Sequence, residues 1–445
     1  MTDCISFPSE ELPVSFAADV VVVGGGSAGC AAAIAAARNG AKTLLLEQSG
    51  CCGGMISRGL LPSIIYMTDG KRLMARGICK ELVDRAVKDM DFPINYEWQN
   101  IHPESVKFTL DEMLREAGVQ VLFETTVSRA VMQGDAINAL KCVHASGSFA
   151  VTGKNFIDTT GDGTLSALAG AQFALGDEEG EVMSPTLCSM IDNIAYPNDS
   201  ASGIGRREWR QALEANNAPV DEHHFVGFFK NSATGGIGNL GHIYGTRPLD
   251  PESRSQAHIQ GRELARRYAK FFRERVPGFA RSRLVYTADQ LGIRESRRIL
   301  GEYVMTQEDY LARRHFYDDI GSFAYPIDIH ASSGQDTARQ AETEKKMERT
   351  AYPPGENYGI PYRAILVKGI TNLLVAGRCL SADRTMQSSI RVVPGCMITG
   401  EAAGTAAAMS ACSNTLLRAL DIKSLQRKLV SNHNFVNAEI NSQEN

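Results

Sequence analysis

Two short apolar runs near the start of the chain have the composition of strands that are buried on both faces. Four valines follow one another at residues 20–23, and three leucines at residues 44–46. Such strands are typical of a parallel sheet that is covered on both sides. Residues 31–37, between the two runs, are six alanines and one isoleucine, which suits a closely packed helix. The pattern therefore predicts a strand, a helix and a parallel strand.

Further along the chain, the period of the apolar positions changes several times. Between residues 127 and 151, short extended runs are broken by Gly134 and Gly147, which predicts an antiparallel β-meander. A separate strand at residues 155–159 leads into a second glycine turn and a small-residue helix. The other elements that these patterns predict are helices at 72–88, 106–117, 255–275, 395–409 and 422–430, and strands at 119–124, 187–194, 224–229, 284–287, 364–367 and 372–378.

The turn after the four valines has the spacing Gly-x-Gly-x-x-Gly, with an acidic residue at the end of the next strand. Gly24 permits the tight turn, Gly26 lets a pyrophosphate approach the backbone, and Gly29 lets helix and strand pack closely. Glu47, about twenty residues after the glycines, is positioned to accept ribose hydroxyls. The helix start adds free N–H groups for the phosphates. This unit predicts an adenine dinucleotide site, with NAD and FAD both open.

Composition and charge limit the class of protein. The chain has 445 residues, of which 43% are hydrophobic and 22% charged, so a folded protein of two or three domains is expected. A net charge of -5 argues against a general nucleic-acid binder. No apolar run approaches the about eighteen residues of a membrane span. Ten cysteines without zinc-type pairing favour a reducing cytoplasm and no metal site, and the start lacks a secretory signal.

With these motifs, the chain resembles the FAD-dependent oxidoreductases of the glutathione-reductase-like superfamily, and more closely their bacterial branch related to fumarate reductase flavoproteins. The segments that carry the resemblance are residues 20–29 with Glu47, 53–55, 158–163, 294–298, 361–364, 373–378, 389–397 and 400–404. The β-meander also favours flavin over NAD. The expected fold is α/β: a Rossmann-like FAD-binding domain with a parallel sheet and β-meander, formed by residues 1–172 and 356–445, with an inserted α+β substrate domain at 173–355.

The resemblance also implies contacts between individual residues and FAD. The pyrophosphate would contact the glycine turn, and the ribose would contact Glu47. The adenine would contact Val127, and the flavin would contact the start of the late alanine-rich helix. That helix start would direct N–H groups at the N1 and C2 carbonyl side of the flavin, where negative charge collects after hydride transfer. The implied cofactor-binding residues are Gly24, Gly26, Ser27, Ala28, Gly29, Glu47, Gln48, Gly53, Gly54, Met55, Val127, Thr160, Gly161, Asp162, Gly377, Arg378, Gly395, Cys396 and Met397.

The chemistry beyond the flavin rests on fewer residues. Arginine suits a carboxylate substrate because its planar fork binds both oxygens. Arg391 is the first candidate, and the others are Arg294, Arg297, Arg298, Arg363 and Arg384. His330 is a candidate acid or base, with His242 and Tyr244 as weaker options, and Tyr362 either covers the ring or packs in the core. The expected partners are a small-molecule substrate, an electron donor or acceptor of unknown class and, as an open alternative, a second copy of the chain.

Three functions stay open at this point. The first is hydride transfer between flavin N5 and a small polar substrate that carries a carboxylate. The second is a flavin monooxygenase or a thiazole-synthase-like catalyst. The third is an FAD-binding subunit of a larger redox complex. Adjacent cysteines at 51 and 52 lack the spacing of a dithiol relay, so disulfide reduction is disfavoured.

Overall fold

The computed structural model describes residues 10–88, 90, 93–198, 203–220, 222, 224–333 and 350–436. Its strands are β1 (Val14–Val23), β2 (Thr43–Leu46), β3 (Ser63–Ile65), β4 (Trp98–Asn100), β5 (Gln120–Leu122), β6 (Thr126–Gln133), β7 (Ala136–His144), β8 (Gly147–Asp158), β9 (Phe173–Leu175), β10 (Ser189–Asp192), β11 (Gly227–Lys230), β12 (Gly236–Asn239), β13 (Arg283–Thr287), β14 (Arg297–Ile299), β15 (Asp319–Phe323), β16 (Tyr358–Pro361) and β17 (Leu373–Val375). Its α-helices are α1 (Ser27–Arg38), α2 (Gly77–Ala86), α3 (Pro103–Ala117), α4 (Thr164–Leu168), α5 (Arg206–Glu214), α6 (Pro251–Arg275), α7 (Gln307–Ala312), α8 (Arg384–Ile390), α9 (Val393–Ser413) and α10 (Ile422–Ser431).

The central sheet has seven strands and is parallel at its core. The order is β5-β2-β1-β8-β7-β6, and β17 pairs with the carboxyl-terminal half of β8. β5, β2, β1, β8 and β17 run parallel, whereas β6, β7 and β8 form an antiparallel meander. This is the α/β fold with parallel sheet and meander that the sequence predicts.

The four valines of β1 are buried because the sheet is covered on both faces. Val20 and Val22 belong to the core beneath helices α1, α2, α3 and α9. Val21 and Val23 belong to the core between the sheet and the meander, together with Leu140. Side chains alternate between the faces of a strand, so two covering layers require an unbroken apolar run.

Two predicted strands differ in the structure. The strand expected at residues 155–159 is not separate, because the third meander strand continues without a break as the central strand β8. The strand expected at 364–367 is a short 3₁₀ helix, Tyr362–Ala364, followed by a turn. Val367 and Leu366 make only isolated bridges, to Gly301 and Leu374. The apolar run there reflects full burial of a turn, and periodicity alone does not distinguish that from a strand.

A second, antiparallel sheet has the order β11-β12-β10-β13 and lies within the segment predicted as an insertion. Its core is aromatic: Trp209 of α5 stacks on Tyr268 of α6 with ring centroids 4.7 Å apart, and Phe228 and Phe272 pack beside them. The division at residues 172 and 355 stays a prediction. None of the helices in the described ranges combines the length and apolarity that crossing a membrane needs.

Helices α1 and α9 pack with almost no space between their backbones. A Cβ atom on Gly400 would lie 2.1 Å from the carbonyl oxygen of Ala28, and one on Gly404 would lie 2.0 Å from that of Ala32. The four residues form one step of i, i+4 spacing on each helix, so the contact runs along one face of each. Glycine at both positions is what lets the helices approach this closely.

We therefore expect Gly400→Ala to separate α1 from α9. Because the added Cβ meets backbone atoms, which cannot rotate away, the free energy of unfolding should fall by about 1–3 kcal/mol or more. Thermal and urea unfolding measure the change. Gly50→Ala is the matched control, since Gly50 is exposed and its nearest neighbour to a Cβ is 4.0 Å away. Equal stability of the two variants would contradict the close contact.

A buried carboxyl on α9 predicts an unusual pH dependence of stability. Glu401 accepts a hydrogen bond from the Ile78 N–H at the start of α2, at 3.0 Å. Burial raises the pKa of Glu401 from 4.5 to about 7. A raised pKa in the folded state means that stability is complete below about pH 4.5 and declines as pH rises towards 7, by about 3 kcal/mol. Glu401→Gln should remove this decline, which unfolding midpoints at pH 5 and 8 would show.

Candidate active site

One large cavity joins the central sheet to the second sheet. Its volume is about 900 Å³, near the upper end of the ~300–1,000 Å³ typical of ligand sites. Val23 and Leu46, the last residues of β1 and β2, line it on the side of the central sheet. Phe229 and Asn239 line it from the second sheet. A ligand at the carboxyl ends of parallel strands is the usual arrangement in such folds.

The glycine turn presents bare backbone to this cavity. Gly24 has φ +100°, and a Cβ there would lie 2.7 Å from the carbonyl oxygen of Thr159. A Cβ on Gly29 would lie 1.8 Å from the oxygen of Gly24, so the helix rests directly on the turn. A Cβ on Gly26 would meet nothing within 4 Å, and this residue lines the cavity. It is also the N-cap of α1, where no side chain caps the first N–H groups.

Glu47 lies at the end of β2 and is fixed by backbone donors. One carboxylate oxygen accepts the Gly25 N–H at 2.6 Å, and the other accepts the Ser49 N–H at 2.8 Å. The side chain is buried in the cavity wall. Each oxygen keeps a second lone pair, so the carboxylate can still accept from two neighbouring hydroxyls.

Most of the residues that the sequence assigned to the cofactor line this one cavity. Those are Gly24, Gly26, Ser27, Ala28, Glu47, Gln48, Gly54, Met55, Val127, Thr160, Gly161, Asp162, Gly377, Arg378 and Cys396. Four do not line it: Gly29, Gly53, Gly395 and Met397. Gly395 serves packing instead, since a Cβ there would lie 2.4 Å from the oxygen of Ile390, and Met397 is fully buried. Gly53 lies in a left-handed turn behind the wall, where a Cβ would meet Ser57.

A charged group on the cavity wall holds Arg378 in place. Its guanidinium donates to Asp162 Oδ1 at 2.7 Å and to the Ser296 hydroxyl at 2.8 Å. Arg254, from the long helix α6, donates to the other Asp162 oxygen at 2.9 Å. Burial alone would raise the pKa of Asp162, but Arg378 and Arg254 hold it well below its usual range. The aspartate is therefore ionised, and one of its two arginines comes from the predicted insertion.

The late helix α9 also begins at the cavity. It starts at Val393, two residues before the predicted start, with Pro394 in its first turn and no side-chain cap. Val392, Val393 and Cys396 line the cavity. The Cys396 thiol donates to the Arg391 carbonyl at 3.0 Å, and burial raises its pKa to about 12. The thiol is therefore protonated at neutral pH and is not a nucleophile.

Three of the four predicted catalytic residues lie together on the cavity wall: His330, Arg391 and Arg294. Arg391 donates to Asp328 Oδ2 at 2.8 Å, and His330 Nε2 lies 3.2 Å from the same carboxylate. Tyr362 is not brought to the cavity. It is buried in the core, where its hydroxyl donates to the Leu417 carbonyl at 3.0 Å.

Behind His330 the hydrogen bonds continue into the protein. His330 Nδ1 lies 2.7 Å from His242 Nε2, and His242 Nδ1 lies 3.0 Å from Glu222 Oε2. Burial would raise the pKa of both carboxyls, but His242 holds that of Glu222 low, and His330 and Arg391 hold that of Asp328 far below its usual range. The result is a chain from carboxylate to histidine to histidine to carboxylate.

The family model of FAD dependent oxidoreductases matches residues 19–429. The chain belongs to this family. No curated protein matches the sequence significantly.

Solved structures of flavoproteins are similar to this FAD-dependent oxidoreductase at low identity. A geranylgeranyl bacteriochlorophyll reductase-like protein from Thermoplasma acidophilum is 14% identical over 94% of this chain and 83% of its own, with a TM-score of 0.46. The p-nitrophenol 4-monooxygenase PnpA from Pseudomonas putida DLL-E4 is 12% identical over 96% and 92%, with a TM-score of 0.46. L-proline dehydrogenase from P. horikoshii is 11% identical over 95% and 100%, with a TM-score of 0.45. All three TM-scores are below 0.5, so they carry no argument about the substrate.

The cavity of this oxidoreductase fits the FAD that its family uses. Gly26 leaves open space where a side chain would stand, and the uncapped start of α1 offers N–H groups to an anion. Glu47 supplies hydrogen-bond acceptors at the end of β2, the position at which a ribose follows the pyrophosphate in this type of site. The uncapped start of α9 reaches a second region of the same cavity at Val393, whose N–H has no partner within the helix.

Asp328 and Glu222, two of the four side chains in this buried row of hydrogen bonds, were not assigned a role from the sequence. Asp328 had a signal, because it precedes His330 by two residues in an extended segment, where side chains at i and i+2 share a face. Glu222 had none, since it lies twenty positions from its partner His242 and 108 from His330. Only the fold brings these loops together.

We expect Gly26→Leu to abolish FAD binding without unfolding the protein. The backbone of Gly26 has φ -70°, which any residue adopts, but a leucine side chain would fill the space facing the α1 N-terminus. Losing two charge-assisted hydrogen bonds of about 1.5–3 kcal/mol each should weaken binding ~100-fold or more. Flavin absorbance of the purified protein and titration with FAD measure this, with Gly50→Leu as the control. Normal flavin content in Gly26→Leu would contradict the assignment.

Proposed function

We propose that this protein transfers a hydride between flavin N5 and a small polar substrate that carries a carboxylate. Bound FAD supplies the two-electron chemistry, and the chain's own residues bind the substrate and move its proton. The observation that carries the proposal is Arg294, a buried guanidinium in the cavity wall that has no acidic partner among the described residues. The direction of the reaction is left open by this proposal.

Arg294 is 7% exposed, and the one hydrogen bond of its guanidinium to a described residue goes to the Ser184 carbonyl at 2.6 Å. Within the described ranges, no carboxylate oxygen lies within 4.0 Å of its guanidinium, so its charge is uncompensated by direct contact. Burial, then the neighbouring Arg391, lowers the pKa of Arg294 to about 10, which still leaves it charged at neutral pH. A buried charge without a partner is costly, and an anionic ligand would remove that cost.

Arg391 supports the same conclusion in a different way. Its Nη2 is already bound to Asp328, so the full fork is not available to a ligand. Its Nε is buried and has no hydrogen-bond partner among the described residues. Arg391 therefore keeps its Nε–H and Nη1 donors for a ligand, but its charge is already balanced by Asp328, whereas Arg294 has no carboxylate partner among the described residues. We assign the carboxylate chiefly to Arg294 and a second contact to Arg391.

His330 is the proposed acid or base. It lies in the cavity wall, and its contact with Asp328 Oδ2 at 3.2 Å is the longest in the buried chain. Removing a hydride from a carbon that bears a hydroxyl or an amine leaves one proton to be taken up, and the reverse reaction needs one donated. His330 is the titratable group of this cluster best placed for that exchange.

The proposal is tested without oxygen in both directions: amino and hydroxy acids are tested for reduction of the bound flavin, and unsaturated acids for reoxidation of the reduced flavin. We expect one class of carboxylate to change the flavin spectrum. Arg294→Gln should then raise the substrate Kd about 10–100-fold, equivalent to the ~1.5–3 kcal/mol of a charged hydrogen bond. Arg273→Gln, on the exposed face of α6, is the control and should leave binding unchanged.

Two outcomes would contradict this function. One is a panel in which no carboxylate alters the flavin while neutral analogues do. The other is rapid NADH-dependent oxygen consumption, which would favour a monooxygenase.

A further inference from the structure

His242 and His330 face each other with both of their outer nitrogens already engaged. His242 Nδ1 lies 3.0 Å from Glu222 Oε2, and His330 Nε2 lies 3.2 Å from Asp328 Oδ2. The two remaining nitrogens, His242 Nε2 and His330 Nδ1, are 2.7 Å apart. All four side chains are buried or nearly so. Glu222 and His242 come from loops beside the second sheet, and Asp328 and His330 from the loop after β15.

The number of protons in this row of four hydrogen-bonded side chains follows from its three contacts, which are Glu222–His242, His242–His330 and His330–Asp328. An ionised carboxylate only accepts, so the nitrogen facing Glu222 and the nitrogen facing Asp328 must each carry a hydrogen. Two neutral imidazoles have only those two hydrogens. Their other nitrogens would then meet as two lone pairs at 2.7 Å, which is repulsive. We propose that His242 and His330 share one additional proton, held between His242 Nε2 and His330 Nδ1.

A metal ion is the alternative positive charge for this position. His224 lies close by, and one nitrogen from each of the three histidines falls within 4.8 Å of the others. Two imidazole nitrogens bound to one tetrahedral zinc at 2.0–2.1 Å would be about 3.3 Å apart. The observed 2.7 Å is too short for that arrangement and falls in the range of a hydrogen bond. The geometry therefore favours a proton over an ion.

The groups around the pair carry charges of both signs. Glu222 and Asp328 contribute two negative charges, and Arg391 and, from the cavity wall, Arg294 contribute two positive charges. The remaining neighbours that face the group are Tyr244 on Glu222, Tyr325 on Asp328, and His224. Burial, and to a smaller extent Arg294, lowers the pKa of both His330 and His242, so the hydrogen bonds to Glu222 and Asp328 hold the shared proton against these two effects.

The role of the shared proton in catalysis rests on the proposed function, in which His330 exchanges a proton with the substrate. A proton leaves His330 Nε2 for an oxygen or nitrogen of the substrate, and the shared proton settles on Nδ1 of the same ring, where it donates to His242. The reverse movement takes a proton from the substrate. One proton is exchanged and no bond between heavy atoms changes. His330 is the group that meets the substrate, whereas His242 and Glu222 are positioning residues.

Nitrogen NMR of the FAD-loaded protein, labelled with ¹⁵N-histidine, tests the shared proton without a substrate. In the wild type we expect a low-field proton bound to histidine nitrogen, and signals of His242 Nε2 and His330 Nδ1 that lie between the protonated and the pyridine-type positions, because these two nitrogens share one hydrogen. Single His242→Gln and His330→Gln variants assign the signals. His144→Gln, at the end of β7 next to an exposed turn, is the control and should keep the low-field proton.

His242→Gln is the decisive variant because its amide can donate to His330 Nδ1. A neutral His330 then satisfies both of its contacts, so the additional proton is no longer needed, and a fully pyridine-type nitrogen of His330 should appear. Two fully pyridine-type nitrogens in the wild type, one from each ring, would overturn the proposal. Stoichiometric zinc or iron in the purified protein, lost in His330→Gln, would overturn it too. These results stand whether or not a carboxylate reduces the flavin, so the two proposals fail separately.

Discussion

The close contact between α1 and α9 is the constraint on which the site depends. Gly400 and Gly404 let α9 lie against the carbonyls of Ala28 and Ala32. Both helices begin at the cavity without a side-chain cap. Their separation is therefore set by backbone contact, which does not adjust as side chains do. The two helix starts are thus held at a fixed distance from each other, as one long ligand that reaches both of them requires.

Charge is distributed unevenly along the cavity. At the glycine turn, the positive potential comes from backbone N–H groups, and the N–H groups of Gly25 and Ser49 hold Glu47 beside it. At the other end it comes from arginine side chains that differ in how far they are neutralised. Arg391 has a carboxylate partner, Asp328, whereas Arg294 has none among the described residues. The first end is suited to a permanent cofactor and the second to a ligand that enters and leaves.

Much of the fold could be predicted from the sequence because its signals are local. The valine run, the glycine spacing and the meander turns each report on neighbouring residues, and the sheet has the predicted strands there. The 3₁₀ turn at Tyr362–Ala364 could not be distinguished from a strand, because burial on all sides removes any period. The start of α9 was placed two residues late, since Gly395 was assigned to the cofactor and not to packing against Ile390.

The catalytic end was harder to predict for a different reason. His330 and Arg391 are separated by 61 positions and His330 and Glu222 by 108, and no periodic pattern links them. Arg294 and Arg391 were candidates by residue type alone. Which of them is neutralised depends on Asp328, whose position follows from the loop after β15. Partner choice of this kind is a property of the tertiary structure.

The unbroken strand β8 has one further consequence. Its first half pairs with β7 of the meander, and its second half ends just before the turn that carries Thr160 and Gly161. One continuous strand thus connects the meander, whose strand β6 carries Val127, to that turn in the cavity wall. Loops of the second sheet can accordingly diverge during evolution, giving new substrate preferences, while this frame of the nucleotide side is inherited unchanged.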